Sequence, residues 1–368
     1  MKNSIGTSVT VTLFGESHGP AVGAVIDGLA PGIRIDENFI RSQLELRRPY
    51  GSISTSRREA DGFSIVSGMF DGRTTGTPLC IMISNSSQNS GDYDDLRGKV
   101  RPGHADYTAH IKYHGFEDYR GGGHFSGRIT AALVAAAAIV LPALNEKGIY
   151  IGTHILRLGG ISDRSFGTGE EDIRRDIESL SGRRFAVLAD DAAAAMQAAT
   201  EEAAAEGDST GGILETAVTG LPAGIGEPWF DSLEGVLSHG IFSIPGIKGV
   251  QFGGGFDLAD ARGSEYNDCF CMDNGRVVTL TNNNGGINGG ISNGMPVVFR
   301  SAVKPTPSIH KEQKTVDVIN GTETLIDIGG RHDPAIIHRA RVVVDSVTAL
   351  VLCDMLALRY GTDWLGVN

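Results

Sequence analysis

Residues 129–144 read Ile-Thr-Ala-Ala-Leu-Val-Ala-Ala-Ala-Ala-Ile-Val-Leu-Pro-Ala-Leu, a stretch with no charge and a single hydroxyl. Alanine and leucine are strong helix formers. A helix that is apolar on every side has no face to give to water, so this one is predicted to lie buried. It contains Pro142 and is too short to span a bilayer comfortably. The rest of the chain must supply the surfaces that enclose it.

Those surfaces read as strands in runs, with further helices between the runs. Residues 8–14, Ser-Val-Thr-Val-Thr-Leu-Phe, alternate with strand periodicity. Strand character recurs at 21–29, 65–66, 79–83, 150–158, 212–220, 277–280 and 296–303. Asp36 is placed as the N-cap of a helix whose Phe39, Ile40 and Leu44 share one face, and which ends at Arg47-Arg48-Pro49. Helices are also predicted over 128–146, from a cap at Asp190 and Asp191 to about Gly207, over 231–242, and over 339–360. In the last, Val343, Val347, Leu350, Val351 and Leu358 form the apolar stripe. Runs of strands, rather than strict βαβ alternation, favour the α+β class with antiparallel sheets and covering helices. No linker, low-complexity tract or repeat divides the chain, so residues 1–368 are read as one domain. Residues 51–60 read as an exposed loop. Residues 85–127 hold little periodicity and much Gly, Asp, Arg and His, the mark of a functional or mobile segment.

Bulk properties narrow the partners. A net charge of −12 argues against nucleic acid, whose phosphates reward a basic surface. Nothing in the sequence asks for a membrane. The N-terminus lacks the apolar core of a signal peptide. Cys80, Cys269, Cys271 and Cys353 make no disulfide framework and no paired zinc motif, so reduced thiols and the cytoplasm are expected. The 51 glycines point to many tight turns and close approaches of backbone to ligand.

Three histidines stand among small or charged neighbours: Gly15-Glu16-Ser17-His18-Gly19, Arg101-Pro102-Gly103-His104-Ala105-Asp106 and Arg331-His332-Asp333-Pro334. Histidine is the side chain best suited to moving protons near neutral pH. Arg47, Arg48, Arg57 and Arg58 fall close together, and Arg101, Arg120, Arg128 and Arg331 add to them. Guanidinium pairs phosphate and carboxylate bidentately, so such a set in an acidic chain suits a substrate with several negative charges. Tyr119-Arg120-Gly121-Gly122-Gly123-His124-Phe125-Ser126-Gly127-Arg128 is a glycine-rich turn entering a helix, a place where backbone N–H groups can cradle an anion or cofactor. It matches no standard nucleotide motif. Lys304-Pro305-Thr306-Pro307-Ser308 presents backbone and hydroxyls stiffly. Asn282-Asn283-Asn284-Gly285-Gly286-Ile287-Asn288-Gly289-Gly290 is a second backbone-rich segment.

Two further patterns carry the marks of other chemistry. Gly207-Asp208-Ser209-Thr210-Gly211-Gly212 has the look of a serine-protease nucleophile turn, but no matching histidine segment or disulfides accompany it. His104 with Asp106, and His332 with Asp333, have the look of a metal phosphohydrolase. Hard-metal sites want more carboxylates, and the arginines here would repel a cation. A non-enzymatic binder of phosphorylated metabolites or flavin is a further alternative.

The three histidine motifs, Tyr119-Arg120-Gly121-Gly122-Gly123, Gly226-Glu227-Pro228 and Lys304-Pro305-Thr306, in this order, resemble the chorismate synthase family across essentially the whole chain. The resemblance implies a β-α-β sandwich with antiparallel sheets in the core and helices outside. It implies a carbon–oxygen lyase acting on phosphates. The reaction eliminates phosphate and a ring proton from 5-enolpyruvylshikimate 3-phosphate, the last step to chorismate. It also implies reduced FMN as cofactor, supplied by an external flavin reductant or NADP-linked reductase, no metal, and a homotetramer. By the same resemblance His18 would be the acid for the leaving phosphate and His104 the partner of the reduced flavin. Asp333 would relay the ring proton through the flavin, and Ser17 and Ser126 would orient these groups. Arg47, Arg48, Arg58, Arg101 and Arg128 would bind substrate. Flavin contacts would come from His124, Phe125, Ser126, Pro245, Gly246, Gly289, Lys304, Pro305, Thr306, Pro307, Ser308 and Arg331. Many relatives carry Arg-Ser-Ser where this chain has His124-Phe125-Ser126.

Overall fold

In the computed structural model, residues 2–55, 61–85, 98–328 and 333–366 are described. Two five-stranded sheets, each antiparallel throughout, form two of the layers. The first runs in the order Ser4–Ile5, Thr10–Gly15, Ala21–Asp27, Leu79–Ser84, Phe63–Ser67. The second runs Ile247–Phe252, Val297–Val303, Gly212–Thr219, Tyr150–Leu158, Ile161–Ser162. The helices, in chain order, are α1 (Glu37–Arg47), α2 (Asp106–Tyr113), α3 (Thr130–Glu146), α4 (Glu170–Ser179), α5 (Asp190–Ala205), α6 (Leu233–Phe242), α7 (Gly263–Tyr266) and α8 (Ile337–Tyr360).

The apolar segment that opened the sequence reading is α3, and its burial organises the molecule. One side of α3 packs on strands Ala21–Asp27 and Leu79–Ser84, and another packs on α8. α8 in turn packs on Tyr150–Leu158 and Gly212–Thr219 of the second sheet. The layers are therefore sheet, helix pair, sheet: the α+β class and the β-α-β sandwich. α1 packs against both central helices, and α6 packs on α8. α4 and α5 lie outside, against the second sheet. The expectation of helices outside thus holds for α4 and α5, while α3 and α8 fill the middle. The physical reason is in the side chains: every alanine of 131–138 is at most 1% exposed, and only enclosure from both sides achieves that. With its lead-in turn, Gly127–Glu146 is long and apolar enough to cross a membrane, yet 89% of its apolar window is buried inside this fold.

Where expectation and structure differ, pattern was weak. α2 lies in the segment without periodicity, because only Ala109 among its residues is buried. α4 buries only Ile173 and Ile177, too few to announce a stripe. Asp190 and Asp191 sit in the first turn of α5 and Ala189 is its N-cap, so the acids act on the helix dipole rather than as caps. Asp36 does cap α1, accepting from Asn38 and Phe39 N–H.

Candidate active site

Strand Thr10–Gly15 ends at Gly15, and the chain turns through Glu16, Ser17, His18 and Gly19 before returning as Ala21–Asp27. This turn faces the glycine-rich segment. Gly121, Gly122 and Gly123 all hold positive φ (59°, 84° and 52°), a run that only glycine makes without strain. A Cβ on Gly121 would sit 2.3 Å from His18 Cε1, so glycine here is also what lets the backbone lie against the imidazole. The segment offers carbonyls to the His18 turn. Gly123 O accepts from Ser17 N (3.1 Å), and the Ser17 hydroxyl donates to Arg120 O and Gly121 O (3.2 and 3.3 Å). That hydroxyl proton being used, Ser17 Oγ accepts from His18 Nδ1, 3.2 Å away. The working proton of His18 is then the one at Nε2. His124 Nδ1 donates to Gly15 O at 2.7 Å, closing the same junction from the other end. Towards His18, then, the turn is a carbonyl clamp rather than the N–H cradle that its composition suggested.

His104 is built differently. Its Nδ1 donates to Asp106 Oδ1 (2.7 Å), again leaving Nε2 for chemistry. Asp106 also accepts from Arg101 at N, Nε and Nη2 (3.0, 2.8 and 2.7 Å). Burial raises the carboxyl's pKa, but the hydrogen bonds and charges of Arg101 and His104 outweigh it and hold Asp106 well below the usual carboxylate range. Arg101, expected on substrate, is bound bidentately to Asp106 here. Arg101, His104, Asp106, His124, Phe125 and Tyr113 line a cavity of about 560 Å³, in which Phe125 meets Tyr113 edge to face.

A second cluster gathers the arginines. The end of α1 delivers Arg47 and Arg48, and the turn before α3 delivers Arg128. All three converge on the buried carboxylate of Asp61. Arg47 and Arg48 stand 3.5 and 3.6 Å from its Oδ2, and Arg128 pairs with its Oδ1. Arg48 also pairs with Glu45 Oε2. Ser126 caps the turn, accepting from Arg128 N (3.3 Å). Asn85 links the two clusters: its Oδ1 accepts from Arg128 Nε, and its Nδ2 donates to Glu16 O and Gly19 O of the His18 turn.

Asp333 lies where α8 begins. Its Oδ1 accepts from Thr55 N (2.8 Å), and its Oδ2 pairs with Arg339 Nη1 (2.6 Å). Arg339 Nε also donates to Arg47 O (2.8 Å), tying Asp333 to the arginine cluster. Beside it, His338 is buried and bonded to Ser54 Oγ at 2.7 Å. Burial, with the Arg339 charge, pushes its imidazole down to about 4.

Lys304 Nζ donates to Gly103 O, and Lys304 N donates to Gly246 O (2.9 Å), so 304–308 and Pro245-Gly246 lie together beside the His104 segment. Burial and the charge of Lys248 lower the Lys304 pKa. Ser308 is buried, and Thr306 Oγ1 is buried without a hydrogen-bond partner among the described residues. Gly289 stands at the tip of the hairpin formed by Ile287–Asn288 and Ile291–Ser292, which is bonded to the 222–233 segment. Arg57, Arg58, Arg331 and His332 lie outside the described residues. Among the described residues no three His, Cys, Asp or Glu side chains are grouped to hold a metal ion.

Asp61, Asn85, Asp106 and Arg339 were not singled out as site residues. Asp106 stood inside a noted motif, and Asn85 stood at the edge of the patternless segment. Asp61 and Arg339 gave no local signal, because their meaning comes from chain segments far apart.

A family model described as chorismate synthase matches residues 9–357. A chorismate synthase of Aeropyrum pernix is 45% identical over 360 residues, covering 97% of this chain and 93% of the relative. One from Dehalococcoides mccartyi is 46% identical over 364 residues, covering 98% of each. One from Pyrococcus abyssi is 45% identical over 354 residues, covering 96% and 97%. A solved structure described as a crystal structure of chorismate synthase superposes with a TM-score of 0.76 at 27% identity, covering 98% of this chain and 94% of that one.

Proposed function

This chain belongs to the chorismate synthase family, a family of lyases, and from that premise we propose that it eliminates phosphate and a ring proton from 5-enolpyruvylshikimate 3-phosphate to give chorismate. The observation that carries the reading is the junction of the two clusters. A set of three arginines, Arg47, Arg48 and Arg128, lies one side chain away from the His18 turn. Such an arrangement binds a phosphorylated dicarboxylate and sets an acid beside the departing phosphate. His18 gives that proton from Nε2, oriented by Ser17. Asp333 takes up the ring proton at its carboxylate.

The residues fit a flavin mononucleotide. The orphaned Thr306 hydroxyl, buried Ser308 and the Lys304 ammonium would make a donor set for its phosphate, stiffened by Pro305 and Pro307. His124, Phe125, Ser126, Pro245 and Gly246 would complete the contacts, with Arg331. Reduced flavin, when bound, supplies an electron-rich ring beside the substrate. His104 would present Nε2 to that ring, its Nδ1 being committed to Asp106. Arg101 is assigned to substrate once its pairing with Asp106 is shared, and Arg58 is assigned with it. Gly289, held on the 222–233 segment, is assigned to the cofactor contacts, and the chain is assigned to a homotetramer. The same reading takes residues 1–368 as one domain working in the cytoplasm, with an external reductant for the flavin.

An anaerobic assay tests this. The protein is mixed with 5-enolpyruvylshikimate 3-phosphate, with and without reduced FMN. Chorismate and phosphate are expected only with reduced FMN. Phosphate release that needs a metal and no flavin, or tight binding without turnover, would overturn the reading. His18→Ala and His104→Ala are each expected to slow turnover by about 10²–10⁴ while retaining flavin binding. Unchanged turnover in both would remove them from the chemistry.

A further inference from the structure

We propose that Asn85 is a positioning residue that locks the His18 turn and the Arg128 guanidinium into one unit. The inference rests on the reading of His18 as acid and Arg128 as substrate binder. Asn85 directly follows strand Leu79–Ser84, and its own N–H donates to Pro20 O (3.0 Å), so the strand ladder fixes its backbone. From there the side chain reaches across the turn. Nδ2 donates one proton to Glu16 O (3.0 Å) and the other to Gly19 O (2.9 Å). These carbonyls bracket Ser17 and His18. Oδ1 accepts from Arg128 Nε at 3.0 Å.

The chemistry allows only this orientation. Two carbonyls cannot donate to an amide oxygen, and a guanidinium cannot accept from an amide nitrogen. Every hydrogen-bonding proton of the side chain is used. No other residue type of this size offers two donors and an acceptor on one planar group. Aspartate keeps the shape and the acceptor for Arg128, but turns an oxygen towards the two carbonyls. Alanine removes all three bonds. The two variants therefore separate the tasks of holding the turn and holding the arginine.

The experiment uses the FMN-saturated enzyme under anaerobic conditions. It measures kcat and KM for 5-enolpyruvylshikimate 3-phosphate in wild type, Asn85→Asp, Asn85→Ala and His18→Ala, well below each melting temperature. Asn85→Asp is expected to lower kcat by about 10- to 100-fold with KM within about 3-fold, since a displaced acid costs rate more than binding. Asn85→Ala is expected to lower kcat similarly and to raise KM, because Arg128 also loses a partner. A lowered melting temperature with wild-type kcat and KM in both variants would mean that Asn85 is only structural, and would overturn the proposal. If one variant fails to fold, the other still decides, since each carries its own expected kcat. If His18→Ala turns over like wild type, the role of His18 itself falls. If His18→Ala is slow and the Asn85 variants are not, the positioning role alone falls.

Discussion

Single carboxylates set the electrostatics of this site. Asp61 is nearly inaccessible and faces three guanidinium groups, which holds mutually repelling cations together. Asp106 does for His104 what Ser17 does for His18: it commits Nδ1 and leaves Nε2 as the atom that exchanges a proton. Because the Asp106 carboxylate also holds Arg101, Asp106→Asn should loosen two functional groups while keeping the side chain's shape. We expect kcat to fall by about 10- to 100-fold, part of the full effect of a catalytic imidazole, with a loss of folding stability at neutral pH, because the pairing that depresses the carboxyl's pKa is removed. Turnover assays with urea unfolding check this, and a wild-type kcat would show that His104 needs no carboxylate. His18 and His104 could be found from their motifs because glycine and serine beside histidine leave an imidazole room to be oriented, although the fold buries His18. Asp61 could not, since nothing near it in sequence says that three arginines will surround it.

At the level of elements, one junction between strands carries buried charge away from the site. His154, on Tyr150–Leu158, is buried between Asp163 Oδ2 and Glu215 Oε2, each 3.1 Å away. Glu215 comes from the neighbouring strand Gly212–Thr219 and also pairs with Arg300, from Val297–Val303, at 2.9 Å. Burial lowers the imidazole pKa, but hydrogen bonds to Asp163 and Glu215 and their charges win, so the folded pKa is raised. A group with a raised folded pKa stabilises fully below its unfolded value, about 6.5, and loses that contribution as pH rises through the folded value. Wild type should therefore lose its stability advantage over His154→Gln as pH increases from 6 to 9. Urea unfolding across that range decides it, and a difference independent of pH would mean that His154 is neutral in the fold. This junction was invisible in sequence for the same reason that α2 and α4 were: a strand reads by alternation, and partners across strands leave no periodic trace. The reverse held for α1 and the two long central helices. Their caps or apolar runs are local, and they formed where the pattern put them.

For the whole molecule, the layer order follows from one helix made of small residues. α3 touches the first sheet on one side and α8 on the other, so its alanines set how closely both approach. Ala131, Ala132, Ala135, Ala136 and Ala137 are each 0% exposed, and Ala138 is 1% exposed. A surface helix would have tolerated larger side chains on its outer face, but α3 has none. The active site depends on this spacing, because Arg128 and Ser126 lead directly into α3, while Asp333 and Arg339 sit where α8 starts. Moving the two helices apart would separate the arginine cluster from Asp333. Ala136→Leu is therefore expected to destabilise the fold by about 1–3 kcal/mol, the usual cost of overpacking. It should also reduce turnover in the protein that remains folded. The control is Ala195→Leu on the exposed side of α5, expected within about 0.5 kcal/mol of wild type. Urea midpoints for both variants, with kcat measured in parallel, test the argument. Equal midpoints would mean that the central layer has room to spare, and the site would then owe its geometry to its loops rather than to the sandwich.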